Sequence, residues 1–234
     1  MNKDILISFI KEYLKIDVDD TTIDKFCVYF NELKEWNEKF NLTAIRDDQG
    51  IIEKHFIDSI FPAKFLDFNS KSLCDLGTGA GFPGLPLAIL FPTLDVTLVE
   101  ANNKKVKFLN HMVEILNLNN VIVLNKRAED LVELKNKFDY VSARAMIRLN
   151  ILLELAIPLC KVDGHLLAFK LSNNEKEIKE ASHAFKELNA KKEEVYTYSL
   201  PISGDARDLI YIKKIKETKK KYPRLFTKIS SSPL

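Results

Sequence analysis

Asp75-Leu76-Gly77-Thr78-Gly79-Ala80-Gly81-Phe82-Pro83-Gly84 joins an apolar run to a helix-forming one. Leu73 to Leu76 read as a strand and Leu85 to Leu90 as the start of a helix. The glycines between them let the backbone turn tightly and approach a ligand that faces the helix's N-terminal amides. Two ligand classes fit such a turn. Gly79, Gly81 and Gly84 satisfy the G-x-G-x-x-G of dinucleotide sites, but a carboxylate two residues before the first glycine repels a pyrophosphate. Asp75 therefore favours a ligand whose facing group is cationic.

The same stretch spells D-x-G-x-G-x-G on Asp75, Gly77, Gly79 and Gly81, the spacing of S-adenosylmethionine (AdoMet) methyltransferases. The cationic amino-acid end of AdoMet complements the acid. Asp95-Val96-Thr97-Leu98-Val99-Glu100 is a second strand, and Glu100 ends it 25 positions after Asp75, where doubly wound folds hydrogen-bond a ribose diol. A helix striped by Val106, Leu109, Val113 and Leu116 leads to a third strand, Val121 to Leu124. The turn after it holds Lys126, Arg127, Ala128 and Glu129, and the backbone of Ala128 and Glu129 is placed to read the adenine edge. A glycine-rich turn in a nucleotide-free Rossmann-like domain remains the bland alternative.

Composition bounds the class. The chain has 234 residues, 46% hydrophobic and 29% charged, which suits a soluble protein with one large domain plus an extension. A net charge of +2 is too mild to identify a nucleic-acid partner by itself. Between positions 213 and 228, however, eight Lys and Arg residues face only Glu217, a basic tail suited to phosphate or simply to solvent. Cys27, Cys74 and Cys160 are odd in number, far apart and without paired histidines, so reduced thiols, no metal and a cytoplasmic home are expected. The N-terminal MNKDILISFIKEYLK breaks its apolar residues with charges, unlike a signal peptide or a membrane span.

The chain divides into a helical extension over residues 1–69, an α/β body over 70–215 and the basic tail over 216–234. Ile23, Phe26, Phe30, Leu33, Trp36 and Phe40 recur at helical spacing over residues 21–40, with Asp20 or Thr21 as the N-cap. Strands are expected near 72–76, 95–100, 121–125, 138–142 and 164–169, alternating with helices as in a doubly wound, mostly parallel sheet. Two closing strands near 192–199 and 207–215 make seven, and their short connection suits a hairpin.

Asn41-Leu42-Thr43, His55-Phe56-Ile57-Asp58-Ser59-Ile60, the DLGTGAGFPGLPLAI run, RAED, Ala143-Arg144-Ala145 and Arg207-Asp208-Leu209-Ile210 occur in one order. Together they resemble the bacterial small-subunit rRNA guanine-N7 methyltransferase family, also called glucose-inhibited division protein B, over residues 33–215. The resemblance implies a Rossmann-like AdoMet-dependent fold with an N-terminal helical extension. It also implies methyl transfer from AdoMet to N7 of a guanine in the 530 loop of 16S rRNA (position 527 in the usual rRNA numbering), leaving S-adenosylhomocysteine. Cofactor contacts are then expected on Gly77, Phe82, Ala128, Glu129 and Arg144, beside Asp75, Gly79, Gly81 and Glu100. The chain departs from many relatives at Lys170-Leu171, where they carry Lys-Gly.

The chemistry agrees with what the motifs lack. Phe138 to Ala145 holds no Asn/Asp-Pro-Pro-aromatic segment for an exocyclic amine, and Cys160 sits in an apolar context unlike a C5 nucleophile. Guanine N7 has an in-plane lone pair, so displacement at a sulfonium methyl needs positioning and no general base. Arg144 is the residue expected to position the guanine, through O6 or a phosphate, or else it forms an ion pair with Asp75 or Glu129. Lys126, Arg127, Lys170 and Arg207 are expected to meet RNA phosphates. His55 and Asp58 share a helix face, which points to helix packing rather than to a metal. Asn41 and Thr43 are placed in a loop near the AdoMet pocket. The expected partner is 16S rRNA or the small ribosomal subunit, met by a monomer away from membranes. Two other readings stand beside this one: an NAD-dependent oxidoreductase on the same glycine turn, and a non-catalytic RNA binder in ribosome assembly.

Overall fold

A computed structural model describes residues 2–144 and 147–234. Seven strands form one sheet in the order β3-β2-β1-β4-β5-β7-β6. They are β1 (Ser72–Leu76), β2 (Asp95–Val99), β3 (Val121–Leu124), β4 (Phe138–Arg144), β5 (Cys160–Leu171), β6 (Ala190–Ser199) and β7 (Ala206–Lys214). The first five are parallel, whereas β7 runs antiparallel to both β5 and β6. The hairpin expected from the short 200–205 connection is thus present.

The strands are apolar on both faces because helices cover both. Leu73, Val96, Tyr140, Leu167 and Leu209 face one core, while Cys74, Val141, Leu166, Ala168 and Ile210 face the other. This is the two-residue alternation of a strand. The first core is covered by α1 (Lys3–Ser8), α2 (Asp20–Phe40), α5 (Gly84–Leu90) and α6 (Asn103–Ile115). The helical stretch that runs from α3 (Asp48–Gly50) through the π-helical Ile51–Ile57 into α4 (Asp58–Ile60) joins them. The second core is covered by α7 (Leu149–Ala156), α8 (Glu175–Glu180), α9 (Ser182–Glu187) and α10 (Phe226–Ser231).

The stripe on α2 is core in part. Ile23, Phe26, Phe30 and Leu33 are buried, but Phe40 is 36% exposed at the helix end. The N-cap is Asp19, one residue before the expected pair, because its carboxylate accepts from the Thr22 amide at 2.8 Å. The basic tail is not a free strand of charge. Tyr222 and Ile229 are buried in the second core, and Arg224 reaches Glu154 on α7.

Candidate functional site

The order of strands reverses between β1 and β4, so the loops leaving these two strands flank the crevice where open α/β sheets take ligands. The loop after β1 is the glycine turn. Gly79 has φ +65, and a Cβ placed on it meets nothing closer than the Lys105 ammonium at 3.9 Å. Its open side is therefore space that a side chain fills and a ligand is free to use. Gly84 answers a different need. A Cβ there collides with Leu98 and comes within 3.0 Å of the Asp75 carboxylate, so glycine is what lets α5 lie against the sheet.

Asp75, read from the sequence as the counter-charge for a cationic ligand, is fully buried and already engaged. One oxygen accepts from the Thr78 hydroxyl at 2.5 Å and the Gly84 amide at 3.0 Å, and the other from the Ser142 hydroxyl at 2.8 Å. Ser142 is its register partner on β4. In this arrangement the carboxylate ties the turn to the sheet, and burial raises its pKa from 3.8 to about 6.

Glu100, at the exit of β2, accepts from the Gly79 amide at 3.0 Å and the Asn102 amide at 2.8 Å. A cavity of about 220 Å³ opens beside it. Gly77, Glu100, Ala128 and Glu129 line this cavity together with Lys126 and Arg127. Four of the expected cofactor residues therefore meet there, and Gly79 borders them. Gly81 and Phe82 stand behind the turn: the Phe82 ring is sandwiched between Tyr29, at 5.3 Å, and His55, at 4.4 Å. Tyr29 also donates to the Ala80 carbonyl at 2.5 Å, which makes α2 a buttress of the glycine turn.

A second cavity, of about 470 Å³, is lined by Lys54, His55, Asp58, Arg144, Lys170 and Arg207. Arg144 leaves β4 and donates to the Lys54 carbonyl at 2.8 Å, to Asp58 at 3.2 Å and to Nδ1 of His55 at 2.9 Å. Its guanidinium carbon lies 5.1 Å from the Phe82 ring centre. Asp58, not Asp75 or Glu129, is thus its ionic partner. A guanidinium only donates, so Nδ1 of His55 accepts and the ring proton sits on Nε2, which donates to the Thr43 hydroxyl at 2.8 Å. Burial and the nearby Arg144 charge hold the His55 pKa down to about 3, so the ring is neutral. Tyr198 donates to the other Asp58 oxygen at 2.8 Å.

The four expected RNA contacts separate. Lys170 and Arg207 line the second cavity, where Lys170 pairs with Glu177 at 2.7 Å and Arg207 with Asp205 at 3.3 Å. Lys126 and Arg127 border the first cavity, and Lys126 pairs with Glu133. Asn41 caps α2 in the left-handed region and accepts from Arg46, while Thr43 reaches the second cavity's wall through His55. Ala145 of the Ala-Arg-Ala motif lies outside the described residues. Tyr29, Lys54 and Tyr198 carry no motif that singles them out. Tyr29 had one available signal, its place one turn from Phe26 and Leu33 on the buried stripe.

Among the described residues, no group of three His, Cys, Asp or Glu side chains is arranged to hold a metal, and no helix is long and apolar enough to cross a membrane. Seven strands in this order, with a glycine turn at the reversal point, define a Rossmann-like methyltransferase fold. Solved structures agree on the fold. TYW2 of M. jannaschii in complex with AdoMet superposes with TM-score 0.57 at 20% identity, covering 74% of this chain and 80% of that one. A SAM dependent methyltransferase from Aquifex aeolicus gives 0.55 at 16% identity, covering 72% and 94%. Residues 22–209 match the family described as rRNA small subunit methyltransferase G, and the chain belongs to that family. The ribosomal RNA small subunit methyltransferase G of Staphylococcus carnosus is 41% identical over 100% of this chain and 99% of its own. That of Staphylococcus epidermidis is 43% identical over 94% and 93%.

Proposed function

We propose that this chain transfers the methyl group of AdoMet to N7 of a guanine in the 530 loop of 16S rRNA. The observation that carries the reading is the pair of cavities on either side of the reversal point. One is lined by the nucleoside-binding motifs, and the other is walled by cations and by an aromatic-backed arginine.

The residues of the first cavity fit AdoMet. Glu100 supplies the acceptor for a ribose diol, exchanging its present bonds to Gly79 and Asn102 for it. The backbone at Ala128 and Glu129 offers polar groups to the purine edge, and the open side of Gly79 leaves room for the ligand. AdoMet, when bound, supplies an electrophilic sulfonium methyl. Asp75 acts on it at one remove, by holding the turn's shape. This is a different part from the direct charge contact expected of it.

The second cavity, of about 470 Å³, falls in the usual range for a site that encloses a small ligand such as a base. Among the described residues, three of Arg144's five N–H groups are committed, which leaves one on Nη2 and the Nε–H to meet guanine O6 or a phosphate. Lys54 and Arg207 share Asp205, Lys170 pairs with Glu177 and Arg144 with Asp58, so the four cations of this cavity meet three carboxylates and leave it a modest positive field. Holding N7 in line with the methyl is worth on the order of 7–11 kcal/mol, and none of it requires a proton to move. His55 suits such chemistry: it is neutral, and its only acceptor nitrogen is occupied by Arg144.

Ligand-induced stabilisation tests the cofactor half of this reading. S-adenosylhomocysteine at 100 times its Kd is expected to stabilise the fold by about 2.7 kcal/mol, and NAD is expected to leave the melting temperature unchanged. The reverse result would support the oxidoreductase reading instead.

A further inference from the structure

We propose that Phe226, on the C-terminal helix, is a cofactor-binding residue that presents its ring to the nucleoside part of the ligand; the proposal rests on AdoMet being the ligand of the first cavity. Phe226 lines that cavity together with Glu100, Ala128 and Glu129. It does so from a segment lying beyond residue 209, where the family match ends. Nothing in the glycine motif or the strand ends points to it.

Its position is built rather than incidental. Arg224, two residues earlier, makes a two-pronged ion pair with Glu154 on α7, at 2.8 Å from Nε and 2.6 Å from Nη2. The Arg224 amide adds a third bond to the same carboxylate at 2.9 Å. Glu154 has no solvent exposure, so this pair is one that cannot be broken cheaply. The next residue on α7, Leu155, lines the same cavity as Phe226. A buried clamp and a cavity wall thus occupy consecutive positions of one helix, and the clamp fixes the chain two residues before the aromatic ring. On the far side of Phe226, Ile229 is fully buried.

The chemistry of the lining agrees. Glu100 serves the ribose and the backbone at Ala128 and Glu129 serves the purine edge, but a purine also has two apolar π faces that need covering. Ile147, Leu155 and Phe226 bring apolar groups to this cavity, and Phe226 is the aromatic one among them. An aromatic ring against a base is a contact that tolerates small shifts and contributes affinity on its own.

The test is calorimetric titration of the full chain with two probes, S-adenosylhomocysteine and 5′-methylthioadenosine, the second of which lacks the amino-acid end. Phe226→Ala is expected to weaken both by about tenfold, the scale set by removing one ring from a base. Phe226→Trp is expected to hold the parental Kd for both. Phe226→Leu keeps the apolar packing on α7 but not the ring, so it is expected to lose affinity with its melting temperature near the parental value. Kd values within twofold of the parent for Phe226→Ala and Phe226→Leu, or weakening of S-adenosylhomocysteine alone, overturn the proposal. A parent chain that binds neither probe overturns the AdoMet reading and this proposal with it, whereas a parent that binds both with an indifferent Phe226 overturns only the latter.

Discussion

Arg144 donates from Nη2 to Nδ1 of His55 at 2.9 Å, and this bond ties the exit of β4 to the π-helical Ile51–Ile57 of the N-terminal extension. The extension is therefore part of the wall of the second cavity. The imidazole also stacks flat on Phe82 of the glycine turn, so one ring touches the elements that border both cavities. Through it the N-terminal helices orient the guanidinium while keeping the histidine unprotonated.

Arg144→Ala is expected to lower the single-turnover rate of methyl transfer at saturating RNA by about 10- to 100-fold, the scale of one good arginine–base contact. It should also destabilise the fold by about 3–5 kcal/mol, because Asp58 is left buried without its cation. Arg144→Lys keeps the charge without the fork and should not restore the rate. Rapid-quench methylation beside denaturant melts reads both effects. A full rate in Arg144→Ala removes this residue from the positioning role.

The same network predicts an unusual response to pH. His55, held down to about 3 by burial and by Arg144, contributes stability that is complete above pH 6.5 and is lost as pH falls, since the unfolded imidazole takes its proton first. Asp75, lifted by burial to about 6, works in the other direction: stability is lost as pH rises from 3.8 towards 6, where the unfolded carboxyl is already ionised. Each slope is about 1.4 kcal/mol per pH unit at most, and over that window they oppose. His55→Gln should therefore expose the Asp75 slope, with stability falling as pH is raised from about 4 to 6. Asp75→Asn should show the opposite trend. Urea melts across that range check both signs, and a shared, unchanged profile contradicts the assignment.

Gly79→Val is expected to abolish AdoMet binding while the protein stays folded. The side chain points into the open cradle, and its positive φ adds about 1–2 kcal/mol of backbone strain. Glu100→Ala should weaken AdoMet by about 1.5–3 kcal/mol through loss of a charge-assisted hydrogen bond. Titration calorimetry distinguishes these outcomes from simple misfolding, which near-UV circular dichroism reports. Normal affinity in Gly79→Val would mean that no ligand occupies the cradle.

What the sequence made legible was local. Alternating apolar runs, the glycine spacing and the acids at strand ends are short-range patterns, and they located the sheet, the turn and the Glu100–Ala128–Glu129 lining. What it hid was pairing at a distance. Ser142 reaches Asp75 only because β1 and β4 are register partners, 67 positions apart, and so the acid's oxygens are spent inside the protein. His55 and Asp58 were visible as one helix face, but Arg144, 89 and 86 positions away, is what gives that face a purpose. The tail looked like unopposed charge because Glu154 and Glu187, which pair with Arg224, Lys219 and Lys221, lie far upstream.

Position in the second cavity, rather than pairing, decides which cations should matter to RNA. Lys170→Ala and Arg207→Ala, in the second cavity, should each weaken RNA binding and lower its dependence on log salt by about one unit for each phosphate left without its cation. Lys219→Ala, on the tail and outside the second cavity, should leave the slope unchanged, although Lys219, Lys170 and Arg207 each have a carboxylate partner. Filter binding at several salt concentrations measures these slopes. A steep loss in Lys219→Ala with none in Arg207→Ala would move the RNA face from the second cavity to the tail.

The reaction itself is put to the test by methyl transfer from labelled AdoMet to undermethylated 16S rRNA, free or in small subunits. One labelled nucleotide is expected, a guanine of the 530 loop, whose N7 methylation makes the chain cleavable there after borohydride and aniline. Label on an exocyclic amine, on a pyrimidine or on a base outside that loop, or no transfer at all from bound AdoMet, would contradict the proposed function.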